Sequence, residues 1–173
     1  LFDVILTDVP CSGEGMFRKD EVAVQEWSIE NVDTCWQRQR RILRDIWPCL
    51  KTGGLLIYST CTYNREENED NVAWIAQELG AEILPLETQP DWHITGNLTG
   101  TEFPVYRFLP HKTTGEGLFM AVLRKTADEP AVSVRTKTGG KASKKGKGGK
   151  VVVLQVPKEM KAWVQGAGDY VFE

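Results

Sequence analysis

The stretch Leu1-Phe2-Asp3-Val4-Ile5-Leu6-Thr7-Asp8-Val9-Pro10-Cys11-Ser12-Gly13-Glu14-Gly15 decides the fold class. Residues 1–7 form an apolar run of strand length, Asp8 ends it, and Pro10, Gly13 and Gly15 supply the turn chemistry to leave it. The design returns at residues 55–62, where Leu55-Leu56-Ile57-Tyr58 runs into Ser59-Thr60-Cys61-Thr62. Between the two lies a long loop reaching to Trp27 and then a helix. Ser28 is its N-cap, Ile29, Val32, Trp36, Leu43, Ile46, Trp47 and Leu50 recur at three- and four-residue steps as a core-facing stripe, and Pro48 with Gly53-Gly54 ends it.

After the second strand, Asn64 and Glu67 make a capping-box-like start for a helix that buries Val72, Ile75, Ala76 and Leu79 and stops at Gly80. Residues 81–86 and 118–123 read as two further strands, separated by a polar loop over 88–117. Strand, helix, strand, helix, strand is the order of an α/β fold, and it predicts an open, mostly parallel sheet flanked by helices. In such a sheet the ligand crevice lies beyond the carboxyl ends of the strands. Cys11 and Cys61, each in the exit turn of a strand, therefore face one crevice. Cys35 on a helix and Cys49 at a helix end are explained by packing.

Composition narrows the function classes. With 41% apolar and 26% charged residues among 173, the chain has the make-up of an ordinary globular protein. It opens at Leu1 inside a strand-like run, which reads as an excerpt of a longer sequence. No apolar stretch reaches the roughly 18 residues that cross a bilayer, and no basic-then-apolar leader is present, so a cytoplasmic location without membrane association is expected. Four cysteines without a CxxC pair and two histidines, His93 and His111, fit neither a disulfide framework nor a metal site. The net charge of −3 hides an asymmetry, because residues 130–150 hold seven basic side chains and no acidic one, leaving 14 basic against 24 acidic elsewhere. This Gly/Lys-rich stretch, 126–150, reads as a flexible basic linker that attracts RNA or merely keeps the chain soluble. Residues 151–173, with Trp163, Tyr170 and Phe172, read as the start of a further small module.

Thr7-Asp8-Val9-Pro10-Cys11-Ser12-Gly13-Glu14-Gly15, then Tyr58-Ser59-Thr60-Cys61-Thr62 and Asn64-Arg65-Glu66-Glu67-Asn68-Glu69, resemble the D-x-P-C-S-G and S-T-C-T motifs of the Sun-type RNA (cytosine-5-)-methyltransferases, in particular the bacterial small-subunit ribosomal RNA branch. Arg107-Phe108-Leu109-Pro110-His111 and Gly115-Glu116-Gly117-Leu118-Phe119 are similar to that family's closing segment. The resemblance covers residues 1–125. It implies the C-terminal half of a Rossmann-like methyltransferase sheet, S-adenosyl-L-methionine as cofactor, and RNA rather than DNA as substrate, with 16S ribosomal RNA favoured by the appended RNA-binding-like module.

The resemblance also implies roles. Carbon 5 of cytosine is a poor nucleophile until a thiolate adds to carbon 6, and the product must afterwards be freed from that thioether. By the family pattern Cys61 attacks and Cys11 assists release, although two thiols alone would allow the reverse assignment. Asp8 is expected where cofactor and target base meet. Lys19, with Arg18 and the helix run Arg38, Arg40, Arg41 and Arg44, could meet phosphate, or be a solvated face. The Gly-rich first strand turn of such a fold, and the acidic residue ending its next strand, are missing. Poor cofactor binding by this stretch alone, and an uncovered strand edge, are the expectations. A non-catalytic RNA-binding remnant is the second reading and a thiol hydrolase the third; no histidine is placed to activate Cys61 for the latter.

Overall fold

A computed structural model describes residues 1–126. The linker and the C-terminal module expected beyond, with Trp163, Tyr170 and Phe172, lie outside the described residues. Five strands, β1 (Phe2–Asp8), β2 (Leu50–Thr60), β3 (Ala81–Leu84), β4 (Tyr106–Phe108) and β5 (Leu118–Lys125), alternate with helices α1 (Glu21–Glu26), α2 (Ile29–Ile46) and α3 (Glu69–Glu78). The sheet order is β1-β2-β5-β3, with β4 paired to β5 as well.

β1 and β2 are parallel and in register from Val4 opposite Leu55 to Asp8 opposite Ser59, so their carboxyl ends emerge side by side. β5 runs antiparallel to β2, β3 and β4. β1, β2 and β3 thus share one direction, as an α/β reading requires, but among the described residues only β1 and β2 form a parallel hydrogen-bonded pair. The expectation of a mostly parallel sheet holds for direction, since β4 also runs with β1, β2 and β3, and it fails for β5, where the reason is the connection. A parallel neighbour needs a crossover of a dozen or more residues, usually helical. Residues 109–117 join β4 to β5 without a helix, so β5 returns antiparallel.

The helices cover one face of the sheet. Leu56 and Tyr58 of β2 and Phe119, Ala121 and Leu123 of β5 are buried beneath Leu43 of α2, Trp47 just past it, and Val72, Ile75 and Leu79 near α3. Each leucine, valine, isoleucine or phenylalanine side chain among them, once removed from water, stabilises the fold by about 1.5–3 kcal/mol. The opposite face of β1 is open: Phe2, Val4 and Leu6 are 62%, 51% and 68% exposed.

α2 starts where the sequence indicates, with the Ser28 hydroxyl accepting from the Asn31 N–H at 3.0 Å. Its buried face is Val32, Cys35, Gln39 and Leu43, while Ile29 is 76% exposed, so the stripe is rotated from the one the apolar residues alone suggest. Asn64 and Glu67 do pair reciprocally, Glu67 N–H donating to Asn64 Oδ1 at 2.9 Å and Asn64 Nδ2 to Glu67 Oε1 at 2.8 Å. They close a turn ahead of α3, whose own N-cap is Asn68. Gly80, at φ +71, ends that helix. Two short elements fall within segments expected to be loops, α1 before Trp27 and the three-residue β4.

Candidate active site

The side-by-side ends of β1 and β2 put Cys11 and Cys61 in contact, Sγ to Sγ 3.0 Å. Each lies in a turn held by hydrogen bonds on both flanks. Around Cys11, the Pro10 carbonyl accepts from Gln39 Nε2 at 2.9 Å, and the Ser12 N–H donates to both oxygens of Glu67 at 3.0 and 3.3 Å. The Ser12 hydroxyl meets Thr62 Oγ1 at 3.0 Å and accepts from Asn64 Nδ2 at 3.1 Å, which ties the first turn to the second.

The Cys61 turn is clamped from more directions. Thr60 Oγ1 donates to Asn68 Oδ1 at 2.6 Å, and Asn68 Nδ2 donates to the Thr62 carbonyl at 3.0 Å. The Cys61 carbonyl accepts from the Gly15 N–H at 2.8 Å. Glu14 accepts from the Tyr63 N–H at 2.6 Å, the Tyr63 hydroxyl donates to the Glu116 carbonyl at 2.6 Å, and Arg107 Nη1 donates to the Tyr63 carbonyl at 3.0 Å. A Cβ on Gly15 would stand 2.7 Å from the Cys61 oxygen and 3.0 Å from that of Glu116, so only glycine lets the first loop lie on the second. Gly117, at φ +108, likewise leaves room for the Tyr63 ring. Arg107 is itself fixed by a buried ion pair with Glu69, Nε to Oε1 2.9 Å, joining β4 to the start of α3.

Beneath both turns is a buried polar network. Glu67 is fully buried and takes hydrogen bonds from Ser12, from Gln39 Nε2 at 2.7 Å and from Asn64. Tyr58 donates to the Glu67 carbonyl at 2.6 Å, and Asn71 Nδ2 donates to Gln39 Oε1 at 2.7 Å. A buried carboxylate is tolerable where donors surround it, and this one then fixes the groups that donate to it.

The thiols influence one another. The Cys11 S–H, hydrogen-bonded to Cys61, lowers the Cys61 thiol from an ordinary 9.0 to about 7, against the opposing effects of burial and of the negative charge of Asp8. The same contact, reinforced by burial, pushes Cys11 up, so Cys11 is the partner that keeps its proton. A second thiol here does what a cationic neighbour or a helix N-terminus more often does for a reactive cysteine.

Asp8 is exposed at the end of β1, close enough to Cys61 for its charge to be felt there. Lys19 is held by a carboxylate of the segment that packs on the Cys61 turn. It is 58% exposed and pairs with Glu116 at 3.3 Å, as Arg18 does at 3.5 Å, while Glu116 Oε2 is buried without a hydrogen bond. On α2, Arg40 lies over the rings of Trp36 and Trp74 and donates Nε to Asn71, and Arg44 lies over Trp74. His93 and His111 are exposed and away from both thiols in the chain. Gln39, Glu14, Tyr63 and Arg107 were not anticipated as site residues, and Glu67 only as a cap. One of them left a signal: Gln39 falls between Val32, Trp36 and Leu43 at helical spacing, a polar side chain on an apolar stripe.

Among the described residues no group of three His, Cys, Asp or Glu side chains is arranged to hold a metal, and no helix is long and apolar enough to cross a membrane. The exposed Asp8 carboxylate, whose charge reaches Cys61, is complementary in charge to a sulfonium cation.

Residues 1–124 match the family described as 16S rRNA methyltransferase RsmB/F. Ribosomal RNA small subunit methyltransferase F of Vibrio cholerae serotype O1 is 32% identical over 99% of this chain, and that of Escherichia coli O157:H7 is 41% identical over 76%. The chain spans 38% and 27% of those two relatives. Among solved structures, NSun6 from Pyrococcus horikoshii with SFG aligns at a TM-score of 0.59 and 31% identity, covering 72% of this chain and 30% of that one. A methyltransferase homologue from the same organism aligns at 0.57 and 32%, covering 72% of this chain and 39% of that one.

Proposed function

Since this chain belongs to the 16S rRNA methyltransferase RsmB/F family, we propose that it carries the two-cysteine centre of an enzyme that methylates carbon 5 of cytosine in small-subunit ribosomal RNA. The observation that carries the reading is the 3.0 Å contact of Cys11 and Cys61 at the ends of two parallel strands. Two thiols so placed suit a reaction in which one sulfur must first bond carbon 6 and then leave it.

In this reading the Cys61 thiolate adds to carbon 6, and the electron pair displaced toward carbon 5 makes that carbon nucleophilic. Asp8 accepts a hydrogen bond from the exocyclic amino group or from a protonated ring nitrogen, which holds the base, and the protonated ring takes up the electron density that the attack delivers. S-adenosylmethionine, of which the SFG bound to the Pyrococcus relative is an analogue, supplies the electrophilic methyl group when bound. A solvent base takes the carbon-5 proton, the carbon–hydrogen pair forms the carbon 5–carbon 6 double bond, and the carbon–sulfur bond breaks with its electron pair returning to Cys61. Cys11 donates its S–H to the departing sulfur, the same hydrogen bond that favours the thiolate before attack. The clamps on both turns keep the sulfurs apposed through the cycle, so orientation is not recovered anew at each step.

Lys19 reaches RNA phosphate in this scheme only by exchanging Glu116 for it. The basic stretch of residues 130–150 adds a salt-sensitive attraction for RNA. The alternative, a non-catalytic RNA-binding remnant, has no use for a thiol whose acidity is raised by its neighbour.

The test is a denaturing gel of the full-length protein carrying Cys11→Ala with cofactor and 16S ribosomal RNA. A covalent protein–RNA band that disappears in Cys11→Ala/Cys61→Ala supports the assignment. Methylation that persists in Cys61→Ala would end it.

A further inference from the structure

We propose that Cys11 and Cys61 form a peroxide-reactive dithiol, a modification site at which a hydroperoxide-class oxidant converts the pair to an intramolecular disulfide. Their sulfurs are already 3.0 Å apart, well inside ordinary non-bonded contact, and need to close by only about 1 Å to the roughly 2.05 Å of a disulfide. Both lie in turns beyond the last paired residues of β1 and β2, where a small movement costs no strand hydrogen bond. Both are partly accessible, unlike Cys35, which is buried against Asn31 on α2. The oxidant is uncharged, so the exposed Asp8 carboxylate, whose charge reaches Cys61, does not repel it.

The chemistry balances in two steps. The Cys61 thiolate attacks one peroxide oxygen, the O–O bond breaks, and sulfur is oxidised by two electrons to the sulfenic acid while the other oxygen leaves as hydroxide and is protonated to water. Cys11 sulfur then attacks the sulfenyl sulfur. The S–S bond forms, the S–O bond breaks, and the second water leaves with the Cys11 proton. Two thiols and one hydrogen peroxide give one disulfide and two waters, and a dithiol reductant reverses it. Oxidation of Cys61 removes the thiolate that holds the Cys11 proton, and with Cys11 already in contact the second step is intramolecular, which favours it over further oxidation of Cys61 to the sulfinic acid, which thiols cannot reduce. The hydrogen bond that prepares Cys61 for its substrate thus comes from the group that protects it from irreversible damage.

The oxidation stands on geometry alone, whereas its effect on methylation rests on the function proposed above. The experiment treats the full-length protein with equimolar hydrogen peroxide, blocks free thiols in acid, and digests with trypsin without reductant. The expected product is the peptide carrying Cys11, which ends at Arg18, joined to peptide 52–65 at the summed mass less two hydrogens. Dithiothreitol should separate them and restore methylation to its starting level. In Cys11→Ser, Cys61 should instead be captured by dimedone as the sulfenic acid, pass to sulfinic acid on longer exposure, and not recover. Sulfinic acid at Cys61 in the unaltered protein, or oxidation of exposed Cys49 while this pair stays reduced, would overturn the proposal. Joined peptides with methylation intact would uphold the modification and count against Cys61 as the nucleophile.

Discussion

Replacing Cys11 by alanine removes the hydrogen bond that makes Cys61 acidic, and its effect on Cys61 reactivity can be worked out. With the thiol at about 7, roughly half of Cys61 is thiolate at pH 7; brought back only as far as its ordinary 9.0, the smallest shift to expect because burial and Asp8 then act against ionisation without Cys11, about one part in a hundred is. That is a loss of about 50-fold in the attacking species. Against it, a more basic thiolate is a better nucleophile, by a factor of about 8 over two pKa units at a Brønsted slope of about 0.4–0.5. The net expectation is a variant about 6-fold slower than the parent at pH 7. The sign reverses at higher pH. The parent saturates above about pH 8 with the weaker thiolate while the variant keeps gaining, so the two rate profiles cross near pH 8 and the variant leads by several-fold at pH 9. The assay is a brief exposure to an aromatic disulfide reagent, quenched in acid, with remaining free Cys61 counted in peptide 52–65. Profiles with a common midpoint, or a variant slower at every pH, would refute the claim that Cys11 sets the acidity of Cys61.

Gly15→Ala puts a methyl group 2.7 Å from the Cys61 carbonyl and should destabilise the protein by about 1–3 kcal/mol in urea unfolding, with loss of the covalent RNA band. Glu67→Gln turns an acceptor of hydrogen bonds from Ser12, Gln39 and Asn64 partly into a donor facing donors; about 2 kcal/mol or more of stability should be lost, and Cys61 should label less selectively than Cys49. Glu69→Gln leaves Arg107 without its carboxylate in a buried setting and should cost about 3–5 kcal/mol, whereas breaking an exposed pair such as Arg65 with Asp70 should leave the unfolding midpoint nearly unchanged.

The order of strands and helices, the Ser28 cap, the Gly80 stop and the apposition of two cysteine turns were legible because each rests on local chemistry: an apolar run, a side-chain oxygen, a residue tolerant of positive φ. The antiparallel β5 was not, since strand direction is set by what the intervening chain can span, and a polar stretch such as 88–117 carries no mark of it. Nor was β4, too short to show a period; what anchors it is the Arg107 ion pair, a long-range contact. Ile29 misled the reading of α2 because apolar spacing alone outvoted Gln39, whose burial makes sense only once Glu67 and Tyr58 are known to lie against it. At the site the motif spacing led to the two sulfurs but not to their supports. Glu14, Tyr63 and Glu116 act through backbone atoms of distant turns, and sequence adjacency does not encode those pairings.

The position of β5 has a consequence for how such a protein emerges from the ribosome. β3 is made early, yet its strand partner among the described residues is β5, and β5 also closes the other edge of β2. Glu116 and Gly117, which seat Tyr63 over the Cys61 turn, immediately precede β5. A nascent chain therefore carries both thiols before Arg107, Glu116 and Gly117, the later residues that seat Tyr63 beside the Cys61 turn, have been translated. On the proposed reading, the catalytic turn has its full set of supports only once the segment leading into β5 is in place, and a product terminated before it lacks the seat of Tyr63 while still beside the kind of RNA the finished enzyme modifies.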